Sequence, residues 1–375
     1  MKKILLLLLM LVYVPDVYGD DEIYEGLSTF TRVLDLVERN YVDDINSAEL
    51  SVNAIEGMLQ SLDPYSAYLT PDRFKDLEEG TSGEFGGLGM EITVKDGVLT
   101  VVSPLEDTPA SAAGIEAGDQ IIEINGKSTS KMVEFEAVKL LRGPVGTSVN
   151  IKVKKKADSS TKVIELERSI IYIKSVKSEL LDRNLGYVKL IQFQDKTSGE
   201  LKNAIKKLQQ ENNDKLQGLI LDLRNNPGGL LTQAVEVVDE FIDEGIIVSV
   251  KGRNSNQNLD YYATKGAETH KFPIVILVNN GSASASEVVA EALQDYERST
   301  IVGTKTFGKG SVQTIIRLED GSGLKITTAK FYAPSGRSIN NVGVVPDIIV
   351  ENKDAKSDLQ LKRATELIAS KTSAN

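Results

Sequence analysis

The chain has 375 residues, 41% of them hydrophobic and 26% charged, which suits two or three globular domains with cores of their own. Its net charge is −11, and because residues 1–19 hold Lys2, Lys3 and Asp16 the remainder carries −12; an acidic chain of this kind lacks the basic footprint that a nucleic-acid partner requires. The absence of cysteine excludes disulfides, a thiol nucleophile and a lipid-modified cysteine anchor, and a single histidine, His270, makes the commonest catalytic base scarce.

The N-terminus reads as a secretory signal over residues 1–19. Lys2 and Lys3 form a basic n-region, Ile4 to Val14 an apolar h-region, and Val17 and Gly19 the small residues before a cut at Asp20. The apolar run is too short to span a bilayer comfortably. The expectation is an exported, soluble body, in a bacterial periplasm where an outer membrane exists; an uncut signal would instead leave the protein membrane-associated.

Residues 20–80 form a helical region. Leu27, Phe30, Val33, Leu34 and Val37 recur at three- and four-residue steps, "SAELSVNAIEGMLQSL" repeats the pattern, and "DPYSAYLTP" interrupts it before a short helix in "PDRFKDLEEG". Residues 81–168 change to short strands, "GEFGGLGMEIT", "GVLTVVSPL" and "DQIIEINGKS", with a helix in "MVEFEAVKLLRG". "SVNIKVKKK" alternates in the manner of an edge strand with lysines outward. Over residues 169–351 apolar strands such as "LQGLILDLR" and "FPIVILVNN" alternate with helices, the pattern of an α/β core. Residues 352–375 form a helical tail.

The chemistry centres on "GSASASE", residues 281–287, which offers Ser282, Ser284 and Ser286 where a strand turns into a helix. Free N–H groups at a helix N-terminus stabilise a developing oxyanion. Ser284-x-x-Glu287 is equally a capping box, which needs no chemistry, and both readings stay open. A nucleophilic hydroxyl needs a base. His270 begins a strand about 30 Å long that ends at the serines, which puts it at the far edge of the sheet. Lys309, between Gly308 and Gly310 in "TFGKG", is the other candidate: a neutral amine can take the serine proton, although a solvated turn lysine fits the same residues. The P-loop spacing is absent. Gln313 shares a strand face with Lys309 if "KGSVQ" is extended, but four steps cover about 13 Å, so contact requires a bend, for instance at Gly310. "LRNNPGGLL" is a Gly-rich strand-to-helix turn whose backbone could approach a ligand closely, and Asp222 and Arg224 beside it suit an ion pair.

"SLDPYSAYLTP", "GLGM", "DLRNNPGGLL", "GSASASE", "ALQDYERSTIVGTKTFGKGSVQ" and "PSGRSINNVGVVPDI" follow one another between about Leu27 and Val350. In these motifs the chain resembles the C-terminal processing peptidases, serine peptidases with a Ser–Lys dyad related to the tail-specific proteases. The resemblance implies a crotonase/ClpP-like α/β protease core, a PDZ domain over 81–168 and a helical N-terminal region. It implies that Ser284 is the nucleophile, Lys309 its base, Gln313 the residue that positions the lysine, and the N–H groups of Gly229 and Ala285 the oxyanion donors. Asp295 and Arg298 would support the fold around the site. In the PDZ segment Gly87, Leu88, Gly89 and Met90 would receive a terminal carboxylate on successive N–H groups, with the peptide added as a strand. Arg142 would contact substrate and couple the PDZ domain to the active site, or else would only complement a helix C-terminus. The resemblance further implies protein substrates with free apolar C-termini, an activating adaptor and a homodimer, and no metal, nucleotide or other cofactor. Two other classes remain: a non-catalytic PDZ binding or scaffold protein on a degenerate protease core, and a structural or assembly role through the N-terminal helices and the C-terminal tail. An acyl-CoA enzyme on the related crotonase-like core is a more distant option.

Overall fold

The structure is a computed structural model that describes residues 21–213, 215–265, 270–352 and 357–372; the expected signal over 1–19 lies outside them. The chain divides into two compact units at Tyr68/Leu69. The first holds helices α1 (Asp21–Asn40) and α2 (Ser47–Gln60). The α1 stripe of Ile23, Leu27 and Phe30 is exposed. α2 starts where the Asn46 side chain accepts the N–H groups of Ala48 and Glu49, satisfying two orphan donors. Beyond α2, Asp63 accepts the N–H groups of Tyr65 (2.7 Å) and Ser66 (2.8 Å), which closes the "DPYS" turn.

After strand β1 (Ala67–Leu69), the second unit begins with α3 (Pro71–Ser82), which carries proline in its first turn where no N–H is needed. Strand β2 (Glu84–Gly87) leads into an antiparallel sheet of β3 (Met90–Lys95), β4 (Val98–Pro104) and β5 (Gln120–Ile124), with the short β6 (Lys127–Ser128) hairpinned to β5, and then β7 (Ser148–Lys154) and β8 (Thr161–Glu167). Helices α4 (Pro109–Ala112) and α5 (Glu134–Leu141) belong to the same segment. Leu99, Val101, Ile121, Ile124, Val149, Ile151 and Val153 form its core against Ala137 and Leu141 of α5. "SVNIKVKKK" is not an edge strand. β7 lies between β5 and β8, with Val149, Ile151 and Val153 fully buried on one face, and on the other Lys152 meets Glu123 of β5 at 2.9 Å. The alternating lysines mark the solvent face of an inner strand, stabilised by a cross-strand charge pair. The edges are β8 and β3. Strand β9 (Ser169–Tyr172) pairs with β2 and closes the segment.

The remaining elements are β10 (Val176–Leu181), β11 (Leu185–Leu190), α6 (Thr197–Glu211), β12 (Gly218–Asp222), α7 (Leu231–Asp239), β13 (Ile246–Gly252), β14 (Leu259–Tyr262), β15 (Ile274–Val278), α8 (Ala285–Asp295), β16 (Ser299–Gly303), β17 (Ser311–Arg317), β18 (Gly323–Tyr332), β19 (Ile348–Ile349) and α9 (Leu359–Thr372). One sheet runs β10-β11-β12-β15-β16-β19 and is parallel except for β10. Its central strands β12 and β15 are buried along their whole length and read as apolar runs because both faces are covered. Alternate residues divide between two cores. Leu219, Leu221, Ile274, Ile276 and Val278 face one that includes residues of α6, α7 and α8; Ile220, Val275 and Leu277 face Ala364 and Ile368 of α9. A second, antiparallel sheet pairs β17 with β18, β18 with β13 and β13 with β14. Its core residues, Val248, Val250 and Phe331, belong to the same cluster as α7 and α8.

This topology decides where chemistry can occur. β12, β15 and β16 are adjacent and parallel, so the three chains that leave their C-terminal ends emerge side by side. The crevice at the carboxyl ends of such strands is the usual ligand site of an open α/β sheet.

Candidate active site

The turn after β15 delivers the three serines in different environments. Ser282 and Ser286 are fully buried, and both hydroxyls are engaged: Ser282 Oγ donates to the Leu223 carbonyl at 2.8 Å and Ser286 Oγ to the Asn226 carbonyl at 2.9 Å. These two hydroxyls fasten the serine turn to the turn after β12. Ser284 is partly exposed and makes no side-chain cap bond. Its backbone, at φ 56° and ψ −115°, lies outside the usual regions for a non-glycine residue. Such a conformation costs of order 1–3 kcal/mol and persists only where surrounding bonds over-determine it. A sharp strand-to-helix turn of this kind presents a nucleophile away from the sheet.

Those surrounding bonds come from Glu287, three residues on. Its carboxylate is fully buried and accepts four hydrogen bonds: from the Ser284 N–H (2.8 Å), Thr306 Oγ1 (2.5 Å), the Gly308 N–H (2.7 Å) and the Lys309 N–H (2.9 Å). The first is half of the capping box read in the sequence; the other three reach the lysine loop. Thr306 in turn accepts the Val344 N–H at 2.7 Å. A carboxylate offers acceptors only, and a buried one is tolerated when its acceptors are filled, as here. The capping reading and the catalytic reading are therefore compatible, because the cap residue is also the tether of the lysine loop.

The turn after β12 brings the candidate oxyanion donors alongside. Asn226, fully buried, accepts the Gly228 N–H on its side chain (2.9 Å), and its own carbonyl accepts the Ala283 N–H (3.0 Å). A Cβ on Gly228 would stand 2.7 Å from the Ala283 carbonyl oxygen, 2.9 Å from Ser284 Cβ and 3.0 Å from the Ala285 nitrogen, so only glycine lets the two turns approach this closely. On its other side the turn pairs with Phe193, which donates to the Gly228 carbonyl (3.0 Å) and accepts the Leu230 N–H (2.9 Å). Neither the Gly229 nor the Ala285 N–H has a protein acceptor among the described residues. Asp222 and Arg224 are ion-paired at 2.6 Å, and Arg224 also reaches Asp358 at 2.8 Å; burial opposes the guanidinium charge, yet the two acids hold its pKa above the ordinary value.

Lys309 enters on the third chain, partly buried between two buried glycines. Gln313 lies on β17, whose pairing with β18 shifts register between Val312 and Gln313. Its amide donates to Ser311 Oγ (2.9 Å) and Thr327 Oγ1 (3.2 Å). Ser284, Ala285, Gly229 and Lys309 thus converge on one edge of the sheet.

Other residues singled out in the sequence lie elsewhere. His270 precedes β15, stacked on Phe272 with ring centroids 5.0 Å apart, at the end of that strand opposite the serines. Arg298 belongs to that end too: it donates to the carbonyls of Phe241, His270 and Phe272, and burial pushes its pKa down. It braces the opposite edge and not the surroundings of Ser284. Asp295 binds the 335–337 segment, with the Ser335 N–H at 2.9 Å and Arg337 Nη2 at 2.6 Å. In the 81–168 segment Leu88 is buried, and the N–H groups of Leu88 and Gly89 have no protein acceptor among the described residues. Gly87 ends β2 and Met90 begins β3, the edge strand that lies against α5. Arg142 caps the end of α5, binds Glu79 at 3.1 Å and lies over the Phe85 ring at 3.9 Å. Its contacts join α5 to α3 and β2. Sequence reasoning missed Thr306, Asn226 and the second role of Glu287. The signal for Glu287 was the capping-box spacing, which names the bond to Ser284 and not the three to the lysine loop.

Comparisons with known proteins show the family. A family model for "Peptidase family S41" matches residues 184–350, one for a PDZ domain matches 100–155, and one for the "Activating protease CtpB N-terminal domain" matches 16–72. The chain is 46% identical over 334 residues to the "Carboxy-terminal-processing protease" of Bartonella bacilliformis, covering 89% of this chain and 77% of that protein. It is 39% identical over 323 residues to a "Probable CtpA-like serine protease" of Staphylococcus haemolyticus, covering 86% of this chain and 64% of that longer protein. Among solved structures, the photosystem II D1 C-terminal processing protease superposes with a TM-score of 0.50 at 32% identity, over 90% of this chain and 96% of that one.

Proposed function

The chain belongs to the C-terminal processing peptidases and is a serine peptidase, and on that premise we propose that Ser284 and Lys309 form its catalytic dyad and that the PDZ domain selects substrates by their free C-termini. One observation carries the assignment: of the three serines, Ser284 alone is spared a buried bond to a backbone carbonyl, and it stands beside the unpartnered N–H of Ala285.

Lys309 Nζ, as the neutral amine, takes the proton of Ser284 Oγ as that oxygen bonds to the substrate carbonyl carbon. The carbonyl electrons move to oxygen, and the N–H groups of Gly229 and Ala285 stabilise the oxyanion. When the intermediate collapses, the C–N bond breaks and the lysine ammonium gives its proton to the departing amine. A water, deprotonated by Lys309, then releases the acyl group and restores the hydroxyl. Gln313 helps to hold the lysine from β17. In the PDZ domain an apolar tail lies along β3 beside α5, and its carboxylate meets the N–H groups of the Gly87–Met90 loop. Arg142, joined to Glu79 and Phe85, couples α5 to α3.

The exposed apolar stripe of α1 supports a homodimer, which light scattering tests, and the match to an activating-protease N-terminal domain supports control by an adaptor protein. The basic and apolar segments of residues 1–19 support export to the periplasm; N-terminal sequencing of the exported protein tests the cut at Asp20.

The function is tested on residues 20–375 with an unfolded reporter bearing an apolar C-terminus, free or amidated. The parent cuts the free reporter and spares the amidated one, while Ser284→Ala and Lys309→Ala cut neither. Activity of the parent rises toward alkaline pH. A flat profile between about pH 6 and 9 contradicts a neutral-lysine base.

A further inference from the structure

We propose that Arg337 is a positioning residue for Lys309: it straps the 335–344 segment to helix α8, and that segment grips both glycines that bracket the lysine. The proposal rests on the Ser284–Lys309 reading above.

Three observations support the strap. Arg337 Nη2 lies 2.9 Å from Glu291 Oε1 and 2.6 Å from Asp295 Oδ1. The Ser335 N–H adds a bond to Asp295 Oδ2 at 2.9 Å. Both acids belong to α8, one and two helical steps beyond Glu287, so they lie on one stripe of the helix that starts at Ser284. Their side chains are 7% and 9% exposed, whereas that of Arg337 is 61% exposed. A surface guanidinium is thus the cation for two nearly buried carboxylates. Burial pushes the Glu291 carboxyl up, Arg337 opposes that rise, and Asp295 and Glu287 add to it. Without Arg337 these acids repel one another in a poorly solvated site, and the segment loses its anchor.

The segment is in turn tied to the lysine loop on both sides of Lys309. The Asn341 N–H donates to the Gly308 carbonyl at 2.8 Å, the Gly310 N–H to Asn340 Oδ1 at 3.3 Å, and the Val344 N–H to Thr306 Oγ1 at 2.7 Å. The approach is close: a Cβ on Gly310 would stand 2.5 Å from the Asn340 nitrogen. That contact explains the glycine brackets of "FGKG". One rigid helix therefore carries the nucleophile at its N-terminus and the anchor of the loop that holds the base, and the separation of hydroxyl and amine is set through Arg337.

The test uses the full chain with Arg337→Met, Arg337→Lys and Lys309→Ala. It measures kcat and KM on the free-C-terminus reporter, the pH profile of kcat, and the thermal midpoint. Arg337→Met is expected to lower kcat roughly 10- to 100-fold with KM within about twofold, since misplacement of a catalytic group by about 1 Å costs on that order. The alkaline rise of kcat shifts, and Arg337→Lys recovers most of the rate. The proposal is overturned if Arg337→Met keeps the parent kcat, if its loss lies in KM, or if Arg337→Lys recovers nothing while the pH profile stays fixed. If Arg337→Met does not fold, Asp295→Asn, which keeps the shape and weakens the strap, must show a kcat-only loss; an unchanged kcat there overturns the proposal. Lys309→Ala separates the two readings. If it keeps the parent kcat, the dyad fails and the strap with it. If it is inactive while Arg337→Met equals the parent, the strap alone fails.

Discussion

Glu287 and Lys309 are joined by a 2.9 Å hydrogen bond from the lysine backbone N–H to the glutamate carboxylate, and the same carboxylate holds the Ser284 N–H at 2.8 Å. A single buried side chain thus touches the backbone of both members of the proposed dyad. Glu287→Gln keeps the volume but turns an acceptor into an NH2 group, which must then face a backbone N–H. Leaving such groups unsatisfied costs about 1–3 kcal/mol. The expected result is a loss of that order in chemical denaturation, with kcat falling roughly 10- to 100-fold. A variant with parental kcat contradicts the tether.

The three serines separate by their bonds. Ser282→Ala and Ser286→Ala each remove a buried hydroxyl and one of the two hydrogen bonds to a carbonyl, of Leu223 or Asn226, and Ser282→Ala also leaves the Asn279 N–H without its acceptor. Ser286→Ala should destabilise the protein by about 0.5–1.5 kcal/mol and Ser282→Ala by about 1–3 kcal/mol, while the folded fraction keeps its activity. Ser284→Ala should abolish cleavage and change stability by less than about 0.5 kcal/mol, as a substitution that breaks no buried contact does. Paired denaturation and cleavage assays on the three variants read the difference.

The glycines around Lys309 should resist substitution for reasons of space. Gly310→Ala sets a Cβ against backbone atoms of Asn340, which cannot give way as a flexible side chain does. Overpacking of this kind costs about 1–3 kcal/mol. The larger effect is expected on kcat, because the displaced segment holds the lysine loop. If Gly310→Ala loses stability and keeps its kcat, the loop is not a positioning element.

Much of this was legible in the sequence because the signals are local. The apolar runs at Gly218–Asp222 and Ile274–Val278 mark strands buried on both faces, and "GSASASE" after the second places a helix N-terminus where the strand ends. Strand length alone put His270 at the far edge, where the structure has it. What could not be read depends on long-range pairing. β13 and β14 are short, partly exposed strands whose membership in a second sheet depends on β18, more than 60 residues further on. The lysines of β7 misled because period-2 alternation marks a solvent face and does not distinguish an edge strand from an inner one. The partners of Glu287 in the lysine loop lie 19 to 22 residues away, and spacing along a chain says nothing of which turns meet across a sheet edge.

The PDZ segment should show its own acid limit. Asp119 is fully buried; burial alone would raise its pKa, but the Lys155 ammonium at 2.6 Å and the N–H groups of Glu116 and Lys156 outweigh that and hold it below the ordinary value. A depressed carboxyl contributes stability that is present above its unfolded pKa, near 3.9, and is lost as pH falls through the folded value. Stability of the parent should therefore fall as pH drops below about 4. Asp119→Asn should be less stable at neutral pH and should flatten that acid limb, as denaturation monitored by circular dichroism across pH would show. An unchanged acid limb contradicts the assignment.

The most direct test of the central claim is the labelling of the nucleophile by a fluorophosphonate, followed by peptide mapping, across pH, in the parent and in Lys309→Ala. The account predicts a single adduct on Ser284, formed faster as pH rises in the parent and formed slowly at every pH once Lys309 is gone. An adduct on Ser282 or Ser286, or a Lys309→Ala protein that labels at the parental rate, would contradict the dyad.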